Sequence, residues 1–103
     1  MNNAKYAVIF IAKMKTDLTG YTEMLTKVRE RVDKLDGFIH LESVEHATGN
    51  EITISYWKDL ESIKQWKKDE LHQEAQKMGQ DRWYQHYQVQ VVKLEYAYQN
   101  NCE

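Results

Sequence analysis

The alternation of apolar and polar residues divides the chain into strands and helices. Four segments are rich in β-branched and aromatic residues and are predicted as strands: 5–13, 38–46, 51–57 and 87–98. Segment 20–36 repeats apolar residues at helical spacing, and Gly37 supplies its stop. A second helical stretch begins after Asp59, an N-cap residue type, and a break at Asp69 divides it in two.

The order of these elements predicts the fold. They follow one another as β-α-β-β-α-β, and the turn residues at 47–50 close a tight hairpin between the two middle strands. This order is typical of the ferredoxin-like α+β arrangement, an antiparallel sheet with its helices on one face. In that topology the first and third strands lie in the centre of the sheet.

The first strand is apolar on both of its faces. Within residues 6–11 the even-numbered and the odd-numbered positions are all apolar, so both faces of the strand are expected to be buried. The helices can cover only one face of the sheet. We therefore predict that a second copy of the chain covers the other face, which makes the protein a homodimer.

Length and composition narrow the class of protein. A chain of 103 residues predicts one domain over 1–103, with a core at 5–98 and a tail at 99–103. The net charge of −2 and the scattered basic residues argue against a nucleic-acid partner. The apolar run 6–12 is too short to span a membrane, and the lone Cys102 cannot form an internal disulfide. We therefore expect a cytoplasmic protein with no membrane partner.

The candidate chemistry lies in residues 66–84, "WKKDELHQEAQKMGQDRWY". Helical phasing from Asp69 onward separates two faces. The core face carries Leu71, Ala75 and Met78, and the second face carries His72, Ala75/Gln76, Gly79 and Trp83. His72 could accept a proton, since an ordinary histidine titrates near a pKa of about 6.5. Trp66 could form an apolar wall beside it.

A structural interpretation of the same residues stays open. A lone histidine on a helix is commonly solvated or hydrogen-bonded, and Trp57, Trp66 and Trp83 could all belong to the core because large rings supply much burial energy. Other chemistries lack their motifs: the chain has no glycine-rich phosphate loop, no C-x-x-C and no H-E-x-x-H. Cys102 has no predictable base partner, so a cysteine nucleophile is not expected.

The long run "ISYWKDLESIKQWKKDELHQEAQKMGQDRWYQHYQVQVVKLEYAY", after "GFIHLESVE", resembles the antibiotic-biosynthesis monooxygenase family. The features that carry the resemblance are a strand ending in Tyr56–Trp57, a helix with Trp66, then His72, and Gly79 followed by Trp83–Tyr84. The resemblance implies a dimeric α+β barrel, in which two ferredoxin-like sheets pack face to face. It also implies a pocket in each subunit between the sheet and the helices.

The resemblance implies a cofactor-independent monooxygenase acting on a small aromatic or quinol-like substrate. Under this prediction His72 is the catalytic residue, and the residues that contact the ligand are Trp66, Trp57, Gln76, Trp83 and Tyr84. The alternatives are a haem-binding or haem-degrading protein and a non-enzymatic dimer that binds a small ligand. Haem is disfavoured, because haem-degrading relatives place a histidine where this chain has Gln76 and an asparagine on the first strand, where this chain has none.

Overall fold

The computed structural model describes residues 4–47 and 49–102, so Thr48 of the predicted hairpin turn lies outside the described residues. The elements are β1 (Tyr6–Met14), α1 (Tyr21–Val32), β2 (Phe38–Glu45), β3 (Asn50–Trp57), α2 (Leu60–Lys68), α3 (Glu70–Met78) and β4 (Tyr84–Lys93). A π turn over Gly79–Trp83 joins α3 to β4. The predicted order is confirmed, with the second helical segment divided into α2 and α3.

The four strands form one antiparallel sheet in the order β2-β3-β1-β4. β1 and β3 are central, as the ferredoxin-like topology predicts. The register places Ile9 of β1 between Ile54 of β3 and Gln90 of β4. The predicted α+β fold class is therefore confirmed.

The helices pack on one face of the sheet, which we call the helix side. Glu51 of β3 lies on this side and accepts a hydrogen bond from the Tyr21 hydroxyl of α1 at 2.6 Å. The opposite face, which we call the open face, carries Ile52 of β3 and its cross-strand partners Ile11 and Val44. Ile52 is 41% exposed and Val44 is 66% exposed, so this apolar face is in contact with solvent in the single chain.

The main core lies between α1, α3 and the start of β4. Tyr21, Met24 and Trp83 are buried together. The side chains packed against them are Met14, Val28, Leu71, Ala75, Met78 and Tyr84. The predicted core face of α3 is thus confirmed, because all three of its residues lie in this cluster.

Side-chain caps fix the starts of α2 and α3. The Asp59 carboxylate accepts the backbone N–H of Ser62 at 2.8 Å. The Asp69 carboxylate accepts the backbone N–H groups of Leu71 and His72 at 3.0 and 3.2 Å. Both caps agree with the sequence prediction, since aspartate at an N-cap satisfies donors that the helix itself cannot.

Two predicted boundaries are wrong. The last strand covers Tyr84–Lys93 rather than 87–98, because Lys93 pairs with Tyr6, the first residue of β1, and within the described residues no strand extends further for 94–98 to pair with. The first helix was predicted over 20–36 but ends at Val32, and the chain then tightens into a turn in which the Leu35 N–H donates to the Val32 carbonyl at 3.0 Å.

Candidate functional site

His72 and Trp66 lie against one another at the junction of α2 and α3. Their rings are stacked, with centroids 4.6 Å apart and an angle of 26° between the ring planes. Both residues are half-buried, and the Nδ1 atom of His72 is buried with no hydrogen-bond partner. An unpaired buried polar atom costs about 1–3 kcal/mol, and a ligand would relieve that cost only by reaching this nitrogen.

The surroundings of His72 favour the neutral imidazole. Burial lowers the pKa of His72 from its usual value near 6.5, and contact with the Trp66 backbone and the charge of Asp69 oppose that change in part. A neutral imidazole can accept a proton at neutral pH. The stacked histidine is therefore in the protonation state that a general base requires.

The junction between α2 and α3 is fixed by the Asp69 carboxylate, both of whose oxygens make polar contacts. Oδ1 of Asp69 caps α3 through the N–H groups of Leu71 and His72. Oδ2 lies 3.0 Å from Nε and 3.0 Å from Nη2 of Arg31 on α1. This paired geometry is typical of a strong arginine–carboxylate contact. The position of His72 is consequently tied to α1 through Asp69.

The other end of the second face meets a cluster of rings. A Cβ atom on Gly79 would lie 2.3 Å from the Tyr84 ring, so only glycine lets α3 approach that ring. Tyr84 in turn packs against Phe10 and Tyr87, with centroids 5.3 and 5.6 Å away. Phe10 and Tyr87 are stacked at 5.6 Å. Gly79 is therefore the residue that brings α3 onto an aromatic part of the sheet.

The sheet next to these rings is open to solvent on the helix side. Val89 pairs with Phe10 and Val91 pairs with Val8, so both valines share the face of the sheet that carries the rings. They are 46% and 50% exposed, which shows that the helices leave this part of β4 uncovered. We call the space between the second face of α3 and β4 the groove. We define its length by positions 72 and 79, which are seven residues or about 10 Å apart along the helix.

Two of the predicted ligand contacts lie in the core. Trp83 is 2% exposed, and its Nε1 donates to the Thr19 carbonyl at 3.0 Å. Trp57 is 1% exposed, and its Nε1 donates to the Ser55 hydroxyl at 2.8 Å. The placement of Trp83 on the second face is wrong, because the π turn winds more loosely than an α-helix and carries its ring to Tyr21 in the core. A ligand role for either tryptophan stays a prediction.

Gln76 is half-buried in the middle of the second face, between His72 and Gly79. It would offer haem iron an amide rather than an imidazole, thiolate, thioether or phenolate. Within residues 4–47 and 49–102, no three His, Cys, Asp or Glu side chains are grouped so that they could hold a metal ion. Gln76 therefore does not fit the axial-ligand position that the haem-degrading relatives fill with a histidine.

A buried carboxylate was not predicted from the sequence. Glu51 is 5% exposed and accepts hydrogen bonds from Tyr21 at 2.6 Å and from the Thr53 hydroxyl at 3.4 Å. Burial, followed by the hydrogen bond and charge of Glu51, raises the pKa of Tyr21 well above its usual range. Burial is also the main cause that raises the pKa of Tyr84 to about 12, with Glu51 and Tyr87 adding to it. Both phenols are therefore protonated at neutral pH.

Two surface depressions accompany the groove. One of about 310 Å³ is lined by Gln80, Tyr84, Gln85, His86 and Tyr87. The other, of about 340 Å³, is lined by Asp17, Thr19, Arg82 and Trp83. Neither is lined by His72 or Trp66. None of the described helices is long and apolar enough to cross a membrane.

Sequence comparison finds a family model and a curated protein that match most of the chain. The family model described as "Monooxygenase af470-like" matches residues 3–102. The uncharacterized protein YqjZ of Bacillus subtilis (strain 168) is 37% identical over 90 residues, which cover 87% of this chain and 79% of that protein.

Solved structures share the fold at low sequence identity. A protein of Nitrosomonas europaea, provisionally assigned as an antibiotic biosynthesis monooxygenase, superposes with a TM-score of 0.76 at 17% identity, over 88% of this chain and 99% of that one. SnoaB, a cofactor-independent oxygenase from Streptomyces nogalater, superposes with a TM-score of 0.75 at 8% identity, over 97% of this chain and 99% of that one. At these identities the two structures establish the fold alone.

Proposed function

The chain belongs to the Monooxygenase af470-like family, and from that premise we propose that it oxygenates a small aromatic or quinol-like substrate in the groove. We propose further that it does so without a metal or flavin, as SnoaB, a cofactor-independent oxygenase, shares its fold. The reaction would then need only an electron-rich substrate, O2 and a proton acceptor.

The observation that carries the proposal is the state of His72. Its imidazole is stacked on Trp66 at 4.6 Å, its Nδ1 has no hydrogen-bond partner, and burial lowers its pKa. A substrate hydroxyl would supply the missing partner and would meet a neutral base. Aromatic side chains at both ends of the groove offer the apolar surroundings that favour a planar substrate.

The proposed chemistry balances with O2 as the only co-reactant. His72 takes the hydroxyl proton, and the electron pair stays on the substrate as a phenolate whose ring carbon can react with O2. The ring carbon forms a bond to one oxygen atom, and the proton returns from the imidazolium to give a hydroperoxide. Loss of water, formed from the carbon-bound hydrogen and the distal hydroxyl, leaves a quinone carbonyl. The protein contributes orientation, desolvation and one proton transfer.

We also propose that the active form is a cytoplasmic homodimer. The open face exposes Ile52 and Val44, which a second copy packed sheet to sheet would cover. The exposed thiol of Cys102 suits a reducing compartment. This arrangement leaves both grooves accessible, because each groove lies on the helix side of its own sheet.

Oxygen uptake with a panel of hydroquinones and polycyclic phenols tests the proposal. We expect at least one substrate to consume O2, and we expect His72→Ala to lower kcat by about 100-fold or more, as loss of a general base does. His46→Ala, a change in the exposed β2–β3 turn, is the matched control and should retain activity. A panel without any response, or equal rates for His72→Ala and the wild type, would rule out the proposed mechanism.

A further inference from the structure

The chain continues past β4 as an exposed segment, residues 95–102, which we call the arm. The Leu94 N–H donates to the Lys5 carbonyl at 2.9 Å, which extends the antiparallel pairing of β4 with β1 by one residue beyond Lys93 and Tyr6. All eight residues of the arm are exposed, and none of them belongs to a helix or a strand. The arm therefore starts in register with the sheet and then has no described strand beside it.

Two large rings give the arm an apolar surface. Tyr96 and Tyr98 are 81% and 82% exposed, whereas Val44 of the open face is 66% exposed. Their ring planes are nearly parallel, at 9°, with centroids 6.3 Å apart. Residues two positions apart in an extended segment point to the same side, so the two rings form one aromatic surface. Two such rings offer about 300–500 Å² for burial, which is the size of an interaction patch.

The rings continue the side of β4 that lies on the open face. Val92 pairs with Ala7, which has the same phase along β1 as Ile11 of the open face. Every second residue from Val92 onward is expected on this side of an extended chain. These residues are Val92, Leu94, Tyr96 and Tyr98. The other side of the arm carries Glu95, Ala97 and Gln99. The apolar side of the arm thus corresponds to the apolar side of the sheet.

The length of the arm fits a position on a second copy of the chain. Eight extended residues span about 26 Å, whereas two sheets packed face to face lie about 10 Å apart and four strands are about 14 Å wide. We propose that the arm of each copy crosses to the other copy and lies with Tyr96 and Tyr98 against its open face. This inference rests on the proposed homodimer and names the segment that holds the two copies together.

The open face offers what the two tyrosines require. Ile52 and Val44 supply exposed apolar surface. Toward the edge of the same face, the rings of His40 and Tyr56 are stacked at 6.2 Å, and the His40 Nε2 lies 3.5 Å from a carboxylate oxygen of Glu42. A tyrosine has an apolar ring and a polar hydroxyl, so it suits a surface on which apolar side chains border hydrogen-bond acceptors.

Sedimentation velocity on the full chain tests the arm. Tyr96→Ser/Tyr98→Ser removes both rings, so we expect the dimer Kd to rise at least about tenfold. Glu95→Ser/Gln99→Ser changes two exposed residues on the other side of the arm and is the matched control, with an unchanged Kd. If the wild type and both double variants dimerise equally, the arm proposal is wrong and the homodimer stands. A monomeric wild type would overturn both proposals.

Cys102 provides a test of where the arm lies. It is the only cysteine of the chain and is exposed at the end of the arm, so a maleimide photocrosslinker attaches there alone. Isotopically labelled and unlabelled chains are mixed, irradiated and digested. We expect crosslinks between the two kinds of chain, at residues 38–57 of the strands β2 and β3. Crosslinks confined to one chain, or to the helices of the second copy, would overturn the proposed position of the arm.

Discussion

Glu51 places a carboxylate in the core, where an ion without partners would cost several kcal/mol. Its partners are hydroxyl groups, with Tyr21 at 2.6 Å and Thr53 at 3.4 Å. A charge-assisted hydrogen bond of 2.6 Å is in the strong range. The pair therefore links β3 to α1 at the point where the core cluster begins, and the orientation of α1 depends on it.

Removal of the Tyr21 hydroxyl should destabilise the fold. Tyr21→Phe keeps the ring contact with Trp83 but leaves Glu51 without its main donor, so we expect a loss of about 2 kcal/mol in the free energy of unfolding. Urea denaturation at neutral pH measures it. Tyr96→Phe removes an exposed hydroxyl and should change stability by less than about 0.5 kcal/mol. Equal stability of Tyr21→Phe and the wild type would show that the bond is not formed in solution.

The same residue predicts a dependence on alkaline pH. The pKa of Tyr21 is raised on folding, so its contribution to stability is complete below the usual tyrosine pKa of 10.0 and is lost as pH rises above it. Tyr21→Phe lacks the ionisable group. Its stability should therefore fall less steeply than that of the wild type above pH 10.0, in denaturation curves collected at a series of alkaline pH values.

The burial of Glu51 could not be predicted from the alternation of apolar and polar residues along β3. Glu51 is in phase with Thr53, Ser55 and Trp57, and three polar residues in one phase are typical of a solvated strand face. Of these residues, only Trp57 indicated that this side of β3 faces the core. The opposite phase, with Ile52 and its apolar neighbours, was predicted correctly as apolar. Glu51 can be buried because α1 supplies a hydroxyl group, and that hydroxyl comes from a residue 30 positions away.

The position of His72 depends on the junction between α2 and α3. Asp69 caps α3 through Oδ1 and pairs with Arg31 through Oδ2. The negative charge of Asp69 raises the pKa of His72, against the larger effect of burial. Arg31 neutralises part of that charge. Substitutions of Asp69 and Arg31 should therefore move the pKa of His72 in opposite directions.

NMR titration of the His72 imidazole tests this coupling. Asp69→Asn keeps an oxygen that can cap the helix but removes the charge, so the pKa of His72 should fall further below its usual value. Arg31→Gln leaves the Asp69 charge uncompensated and should raise the pKa of His72. Arg29→Gln is the matched control, because Arg29 pairs with Asp33 on the exposed side of the same helix. Shifts of the same sign in Asp69→Asn and Arg31→Gln would contradict the electrostatic linkage.

The sequence predicted those features of the helices that depend on neighbouring residues, but not the contacts between residues far apart along the chain. The caps at Asp59 and Asp69 depend on residues within a few positions, so the break between α2 and α3 could be predicted. Arg31 lies 38 residues from Asp69, and no local pattern marks that pair. The π turn was missed as well, because phasing assumes a constant number of residues per turn. That assumption placed Trp83 on the second face, whereas the wider turn places its ring in the core.

At the scale of the whole molecule, the open face is an apolar surface that a single chain leaves exposed to solvent. Val44, Ile52 and Ile11 lie side by side across β2, β3 and β1 and form a continuous apolar row. The two-sided apolar pattern of β1 predicted such a face from the sequence. What the sequence does not contain is the partner surface, since a self-complementary interface depends on the twist and shape of the assembled sheet.

Sedimentation velocity tests whether a second copy covers this row. We expect the wild-type chain to sediment as a dimer at micromolar concentration. Ile52→Glu should weaken the dimer by at least about 100-fold in Kd, because both copies lose an apolar contact and would bury a carboxylate at the centre of the row. Leu25→Glu is the control, since Leu25 is comparably exposed on α1 and lies on the helix side. If the wild-type chain sediments as a monomer, the proposed dimer is wrong. If Ile52→Glu and Leu25→Glu form dimers of equal affinity, the association surface lies elsewhere.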